Sequence, residues 1–252
     1  LTTESDELDW IMQQCDCPIL FYDKMQVVGP SGINIERFDE KMKLEQNRRL
    51  VTYYSLLTQM RVNGGNDYIN LVNSILSGKC NQQACLKNCD FKVMSDFNRF
   101  NNLQQKLEDE FTLSRMIAGY AWEWKSKKDK SLYDMELDGV KKQWNYRLEN
   151  WVLSEGADKQ VGCIHTIQGF DLNYGFVIMG NEIGYDPESK EIIVRPENYY
   201  DQNGRKTASK EELLEYIKHI YYVLMTRGIK GTYLYICDDN LRKYVSSIIG
   251  VI

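Results

Sequence analysis

Apolar residues recur along the chain in two rhythms, and the rhythms alternate. Short compact runs read as strands: residues 17–22 (CPILFY), 55–61 (SLLTQMR), 91–94, 114–124 (SRMIAGYAWEW), 161–164, 176–179 and 232–237 (TYLYIC). Between them, apolar positions fall three and four apart and predict helices. The first covers residues 5–14, with Leu8, Ile11 and Met12 on one side, and a second covers 35–43. Asn66 is the expected cap of a third, whose stripe is Tyr68, Ile69, Val72, Ile75 and Leu76. Ser95 is the expected cap of a fourth, reaching about Glu110. Ser209, with Glu212 three residues on, forms a capping-box pattern. It opens a helix carrying Leu213, Leu214, Ile217, Ile220, Tyr221 and Leu224 and ending near Arg227-Gly228. Asp238 or Asp239 caps the last, through Leu241, Tyr244, Val245 and Ile248. A small hairpin is expected around residues 191–194, with Asn203-Gly204 as its turn signal. Strands alternating with helices predict an α/β fold, a mainly parallel sheet flanked by helices.

The chain of 252 residues is long enough for a substantial core, and no apolar run approaches the ~18 residues of a membrane span. Its net charge of -5 removes a global basic field, so a nucleic-acid surface must be a local patch. One basic stretch, residues 125–130, interrupts the apolar pattern. Seven cysteines, an odd number behind an acidic start that is no signal peptide, argue for reduced thiols and a cytoplasmic protein. Cys80, Cys85 and Cys89 could bind zinc with Cys15 or Cys17, but their spacing is not the paired C-x-x-C of zinc ribbons, and ordinary thiols are the expectation. Only His165 and His219 are present, which makes a Ser-His-Asp triad unexpected. No clustered Asp/Glu/Lys site suggests a nuclease.

Candidate chemistry gathers at residues 161–171 (VGCIHTIQGFD), where an apolar strand runs into polar groups around a glycine. Such a loop can touch phosphate and sugar. The stretch resembles motif V of superfamily 1 helicases, and residues 221–228 (YYVLMTRG) resemble motif VI. Asp23 with Gln26 resembles motif III, with Tyr22 in place of the usual glycine; residues 59–65 (QMRVNGG) resemble motif IV. Together with AGYAWEW at 118–124, Trp144-Asn145 and MTRGIKG at 225–231, these runs resemble the Schlafen-type DNA/RNA helicase-like family.

The resemblance implies a RecA-like second motor domain over residues 30–252, with residues 1–29 as the tail of a first domain and Gly29-Pro30-Ser31-Gly32 at the crossing. It implies Arg227 as an arginine finger, Arg61 as a second phosphate contact and Gln26 beside them as catalytic groups. Asp171, Gly169, Gln168 and Asp23 then hold the nucleotide, with Asp171 on a ribose hydroxyl. His165 and Thr166 contact nucleic-acid phosphate, single-stranded or duplex. Each residue has a plainer reading: Arg227 as a cation favoured at a helix C-terminus, Arg61 as a solvated side chain, Asp171 as a turn residue, His165 as a satisfied core imidazole. Trp122, Trp124 and Trp144 read as core aromatics or as base-stacking platforms.

A motor also needs G-x-x-x-x-G-K-[ST]. In the nearest candidate, Asn73 stands at the first glycine and Cys80 at the hydroxyl position, and Gly204-Arg205-Lys206-Thr207 fails similarly. ATP and Mg²⁺ are therefore expected only together with the N-terminal P-loop domain of a parent chain, and this chain alone is expected not to hydrolyse ATP. A non-catalytic nucleic-acid-binding or regulatory module with the same fold is the alternative. Thr166, Asp171, Arg61 and Arg227 are expected at the carboxyl ends of the strands.

Overall fold

A computed structural model describes residues 6–56, 58–84 and 86–252. Five parallel strands form the central sheet in the order β1-β9-β6-β2-β5. They are β1 (Asp90–Val93), β2 (Ser114–Ala118), β5 (Val161–Gly162), β6 (Leu172–Met179) and β9 (Gly228–Ile236). Two antiparallel pairs stand apart, β3 (Met135–Leu137) with β4 (Val140–Lys142), and β7 (Ile183–Asp186) with β8 (Glu191–Val194). The helices are α1 (Glu7–Gln14), α2 (Ile35–Glu45), α3 (Gly65–Leu76), α4 (Phe97–Phe111), α5 (Ile164–Ile167), α6 (Gln202–Thr207), α7 (Lys210–Met225) and α8 (Asp239–Ile249).

The sheet is covered on both faces, which is why its strands read as nearly unbroken apolar runs. Side chains alternate between faces with the two-residue period of a strand. Phe176 and Ile178 point to one layer, with Phe97 and Phe100 of α4 and Trp144. Val177 and Met179 point to the other, with Val72 and Ile75 of α3, Ile217 and Leu224 of α7 and Val245 of α8. The α/β architecture, consistent with a RecA-like fold, agrees with the sequence reading.

Several local expectations fail for identifiable reasons. Residues 17–22 form no strand, and Ile19 and Phe21 are 82% and 85% exposed. Both outer strands are already engaged, β1 through a bridge from Val93 to Val251 and β5 through one from Val161 to Trp144. Residues 55–61 likewise form no strand where described; Leu57 lies outside the described residues. Asp96, not Ser95, caps α4 through Arg99 N. Gly64 stands at the cap of α3, and Asn66 instead accepts a hydrogen bond from Gln59 N. β2 stops at Ala118 and the chain bends at Tyr120, where Ala121 N donates to Gly119 O at 2.9 Å; a Cβ on Gly119 would lie 2.6 Å from Glu182 Oε1. After β5 the chain enters α5 rather than continuing as strand. The hairpin turns between Asp186 and Glu191, and Asn203-Gly204 lies within α6.

The C-terminal end of α7 shows how a short motif is set by backbone chemistry. The last four carbonyls of a helix lack partners inside it. Here Tyr222 O accepts from Thr226 Oγ1 at 2.9 Å, and Val223 O accepts from Arg227 Nε at 3.1 Å. Leu224 O accepts from Arg227 N at 3.4 Å. Met225 O accepts from both Tyr68 Oη at 2.7 Å and Thr232 Oγ1 at 3.0 Å. Gly228 follows because a Cβ there would lie 2.1 Å from Gly231 O and 2.9 Å from Gly175 N.

Candidate functional site

An open cleft of about 1560 Å³ gathers residues from four distant parts of the chain: Asp23 and Gln26, Arg61, His165 and Gln168, and Thr226 and Arg227. Arg61, Asp171 and Arg227 gather at the amino edge of the sheet, a correction to the carboxyl edge expected for them, whereas Thr166 follows the carboxyl end of β5. Asp171 directly precedes β6, Arg227 directly precedes β9, and Leu172 N donates to Arg227 O. The reason is that α7 returns antiparallel to the strands and delivers its last residues to the edge where β9 begins. Asn63 N donates to Ile229 O, which brings the Arg61 turn to that edge as well.

Arg227 is 2% exposed, with its Nε committed to Val223 O. Burial first, and the charge of Arg61 second, push its guanidinium down to about 10, opposed by Asp171 and Asp23. It remains a cation at neutral pH. Arg61 Nε is ion-paired with Asp171 Oδ1. The Arg61 turn is built by Gln59, whose Oε1 accepts from Arg61 N and from Val62 N, while Asn66 Oδ1 holds Gln59 N. Gln59 and Asn66 are positioning residues: Gln59 opens the same run as Arg61, and Asn66, expected as a helix cap, follows that run directly.

The opposite wall is the segment around a 3-10 turn at Lys24–Gln26. Asp23 caps it through Met25 N and also accepts from Gln26 Nε2 at 2.9 Å. Two contacts hold this wall on the helical layer: His219 Nδ1 lies 2.8 Å from Val27 O, and Gln168 Nε2 donates to Gln26 O at 3.4 Å. Gln168 thus links the loop after α5 to the Asp23-Gln26 segment. Gly169 has φ +86°, a conformation that favours glycine, and open space where a Cβ would stand. His165 is exposed at the cleft margin, its ring centroid 5.9 Å from that of Tyr120. Thr166 is turned inward at 1% exposure and its hydroxyl donates to Cys163 O, so as placed it presents no hydroxyl to a ligand.

The tryptophans divide. Trp144 is fully buried, with Tyr120, Trp122 and Trp124 at centroid distances of 6.1, 6.4 and 6.3 Å, and serves the core. Trp122 and Trp124 are half-buried. Among the described residues no group of three or more His, Cys, Asp or Glu side chains could hold a metal. Cys85 lies outside the described residues, and burial pushes the Cys89 thiol up to about 11.

One buried acid was not singled out from the sequence. Glu182 is fully buried beyond the carboxyl end of β6; one oxygen accepts from Tyr221 Oη, and among the described residues Oε2 has no hydrogen-bond partner. Burial raises its carboxyl to about 7, with the Tyr221 hydrogen bond opposing. Gly119 and Gly180 leave the room it occupies, since a Cβ on either would fall 2.6 or 2.5 Å from its oxygens.

Comparison with known proteins adds what geometry does not. The protein YPL245W of Saccharomyces cerevisiae is 29% identical over 266 residues, covering 92% of this chain. The chain spans 57% of that protein's length. No solved structure matches. Residues 2–238 match the family described as Schlafen group 3, DNA/RNA helicase domain. With nearly its whole length inside that match, the chain belongs to the Schlafen group 3 DNA/RNA helicase domain family.

Proposed function

We propose that this chain is the C-terminal motor domain of a nucleic-acid-dependent ATPase, a helicase or translocase of the superfamily 1 type. On this reading residues 1–29 end the first RecA-like domain and residues 30–252 form the second. The observation that carries it is the convergence of Asp23, Gln26, Arg61, Gln168 and Arg227 on one cleft although they are far apart in sequence. Two guanidinium groups meet there, and Asp171 is the acid paired with one of them. A buried cation beside a second cation favours an incoming polyanion such as a triphosphate, because opposite charge offsets desolvation.

The side chains suit the phosphate end of ATP better than its metal. Asp23 is exposed and already takes Met25 N and Gln26 Nε2, and among the described residues no metal-holding cluster is present. On this reading the phosphate cradle and the Mg²⁺ acid are supplied by a P-loop domain of the parent chain. Exposed apolar side chains on the cleft wall, Ile19, Phe21, Tyr54 and Leu56, suit contact with such a domain. Arg227 stabilises charge developing on the γ-phosphate when the domains close, Arg61 leaves Asp171 to contact phosphate, and His165 meets the nucleic-acid strand. Transition-state stabilisation by a fixed cation is worth ~10³–10⁵ in turnover.

The test is steady-state ATP turnover of the intact parent with Arg227→Ala, beside single-strand affinity at fixed salt. The expected result is a loss of ~10³-fold or more in kcat with strand binding retained. A loss below about tenfold, or ~1.4 kcal/mol, refutes the finger. ATP turnover by residues 1–252 alone would refute the division of labour.

A further inference from the structure

Residues 122–147 form a lobe at the sheet edge that the ATPase reading leaves unused. Lys125, Lys127, Lys128 and Lys130 project from it within six residues, in a chain whose net charge is -5. All four are exposed, and among the described residues none is in an ion pair. Two lie over rings instead: Lys127 Nζ is 5.5 Å from the Trp124 centroid and Lys130 Nζ is 4.3 Å from that of Tyr146. Tyr133 and Tyr146 are 53% and 48% exposed. Unpaired lysines beside a half-buried Trp124 and an exposed Tyr146 match the needs of a single strand, which offers phosphates to cations and bases to π faces.

The lobe is fixed to the rest of the site. Asn145 N donates to Val161 O at 2.9 Å, and Val161 N donates to Gln143 O at 2.9 Å, so residues 143–145 extend the sheet beyond β5. Cys163 N donates to Asn145 Oδ1 at 3.2 Å, two residues before His165. Gln143 also anchors the lysine turn, with Nε2 donating to Lys130 O and Leu132 O, both at 2.7 Å. Lysine turn, Tyr146 and the His165 loop thus share one hydrogen-bonded frame.

We propose that this lobe is a second binding surface for single-stranded nucleic acid, with Lys127, Lys128 and Lys130 on phosphates and Tyr146 stacking a base. The proposal rests on the nucleic-acid reading of the His165 loop and extends the strand's path past it. A lysine-to-phosphate contact releases counterions, so its loss should appear in the salt dependence as well as in affinity.

The experiment is fluorescence anisotropy of the protein with labelled oligo-dT and oligo-U over a range of salt. Wild type is compared with Lys127→Ala/Lys128→Ala/Lys130→Ala, Tyr146→Ala, Tyr146→Phe and His165→Ala. The triple variant should bind at least ~10-fold more weakly, with its salt slope reduced by ~2, at about 0.7 per phosphate contact. Tyr146→Ala should lose ~5-fold or more and Tyr146→Phe should restore it, since the ring carries the stacking. If the lobe variants bind like wild type while His165→Ala loses binding, the lobe proposal fails and the site reading stands. If wild type binds neither strand at low salt, both fail. If polyglutamate competes equally, Tyr146→Ala is silent and only the lysines matter, the partner is an acidic polypeptide and the nucleic-acid proposal is overturned.

Discussion

Glu182 makes the stability of this protein depend on pH in a sense opposite to the usual salt-bridged carboxylate. Its carboxyl is raised from 4.5 to about 7 by burial. The native state therefore holds a proton that the unfolded chain releases, over the window between those two values. Stability contributed by this group is fully present below the unfolded value. It declines as pH rises through the window and is lost above about 7. At about 1.4 kcal/mol per pH unit, titration across that window amounts to ~3 kcal/mol. That is large beside a total of ~5–15 kcal/mol for a domain. Glu182→Gln removes the proton equilibrium while keeping an oxygen for Tyr221 Oη, although its amide then meets the unpartnered side of the pocket near Trp122. The absolute stability of the variant mixes those effects, so the difference between variant and wild type as a function of pH is the discriminating quantity. Urea unfolding of both proteins at about pH 5, 6, 7 and 8, followed by tryptophan fluorescence, measures it. The variant should gain ~2–3 kcal/mol on wild type between the ends of that range. A difference flat to within ~0.5 kcal/mol would mean that Glu182 does not titrate there, and the account of its burial would be wrong.

Gly228→Ala should destabilise by ~2 kcal/mol or more, because its methyl would meet the Gly231 carbonyl and the Gly175 backbone rather than a yielding side chain; urea midpoints check this. Asp171→Asn should change folding stability by less than ~1 kcal/mol, since its pair with Arg61 is 37% and 50% exposed. In the intact parent the same variant should alter nucleotide affinity, so a thermal melt alone would overlook it. Phe100→Ala should cost ~3–5 kcal/mol, because Phe100 is fully buried and packs edge-on against Phe176 at 5.0 Å.

Where the sequence was legible, local chemistry and long-range packing agreed. Ser209 and Glu212 form the reciprocal capping box expected at the start of α7, and Asp238 caps α8 through Leu241 N. The runs that became β6 and β9 are buried on both faces, so neither helical nor solvent-facing patterns competed with them. Residues 17–22 are as apolar, yet a strand also needs an unoccupied neighbour, and no local pattern records that Val251 and Trp144 cover the outer strands. The edge on which Arg61, Asp171 and Arg227 meet was misread because it depends on the direction of α7, a property of topology. Glu182 was passed over for a related reason. Its signal is divided between nearby Gly180 and the distant Gly119 and Tyr221, which meet it only in the fold.

The bond from Arg227 Nε to the Val223 carbonyl changes what kind of cation the cleft contains. A free arginine side chain carries about 2 kcal/mol of rotamer entropy that a ligand would have to remove. Here folding has already removed much of it, because the same atom closes the end of α7. An anion entering the cleft therefore meets a guanidinium whose orientation is fixed in advance. Lysine would keep the charge and lose both the tether and the planar fork. Arg227→Lys should consequently behave much more like Arg227→Ala than its charge suggests, and should also leave Val223 O without that donor.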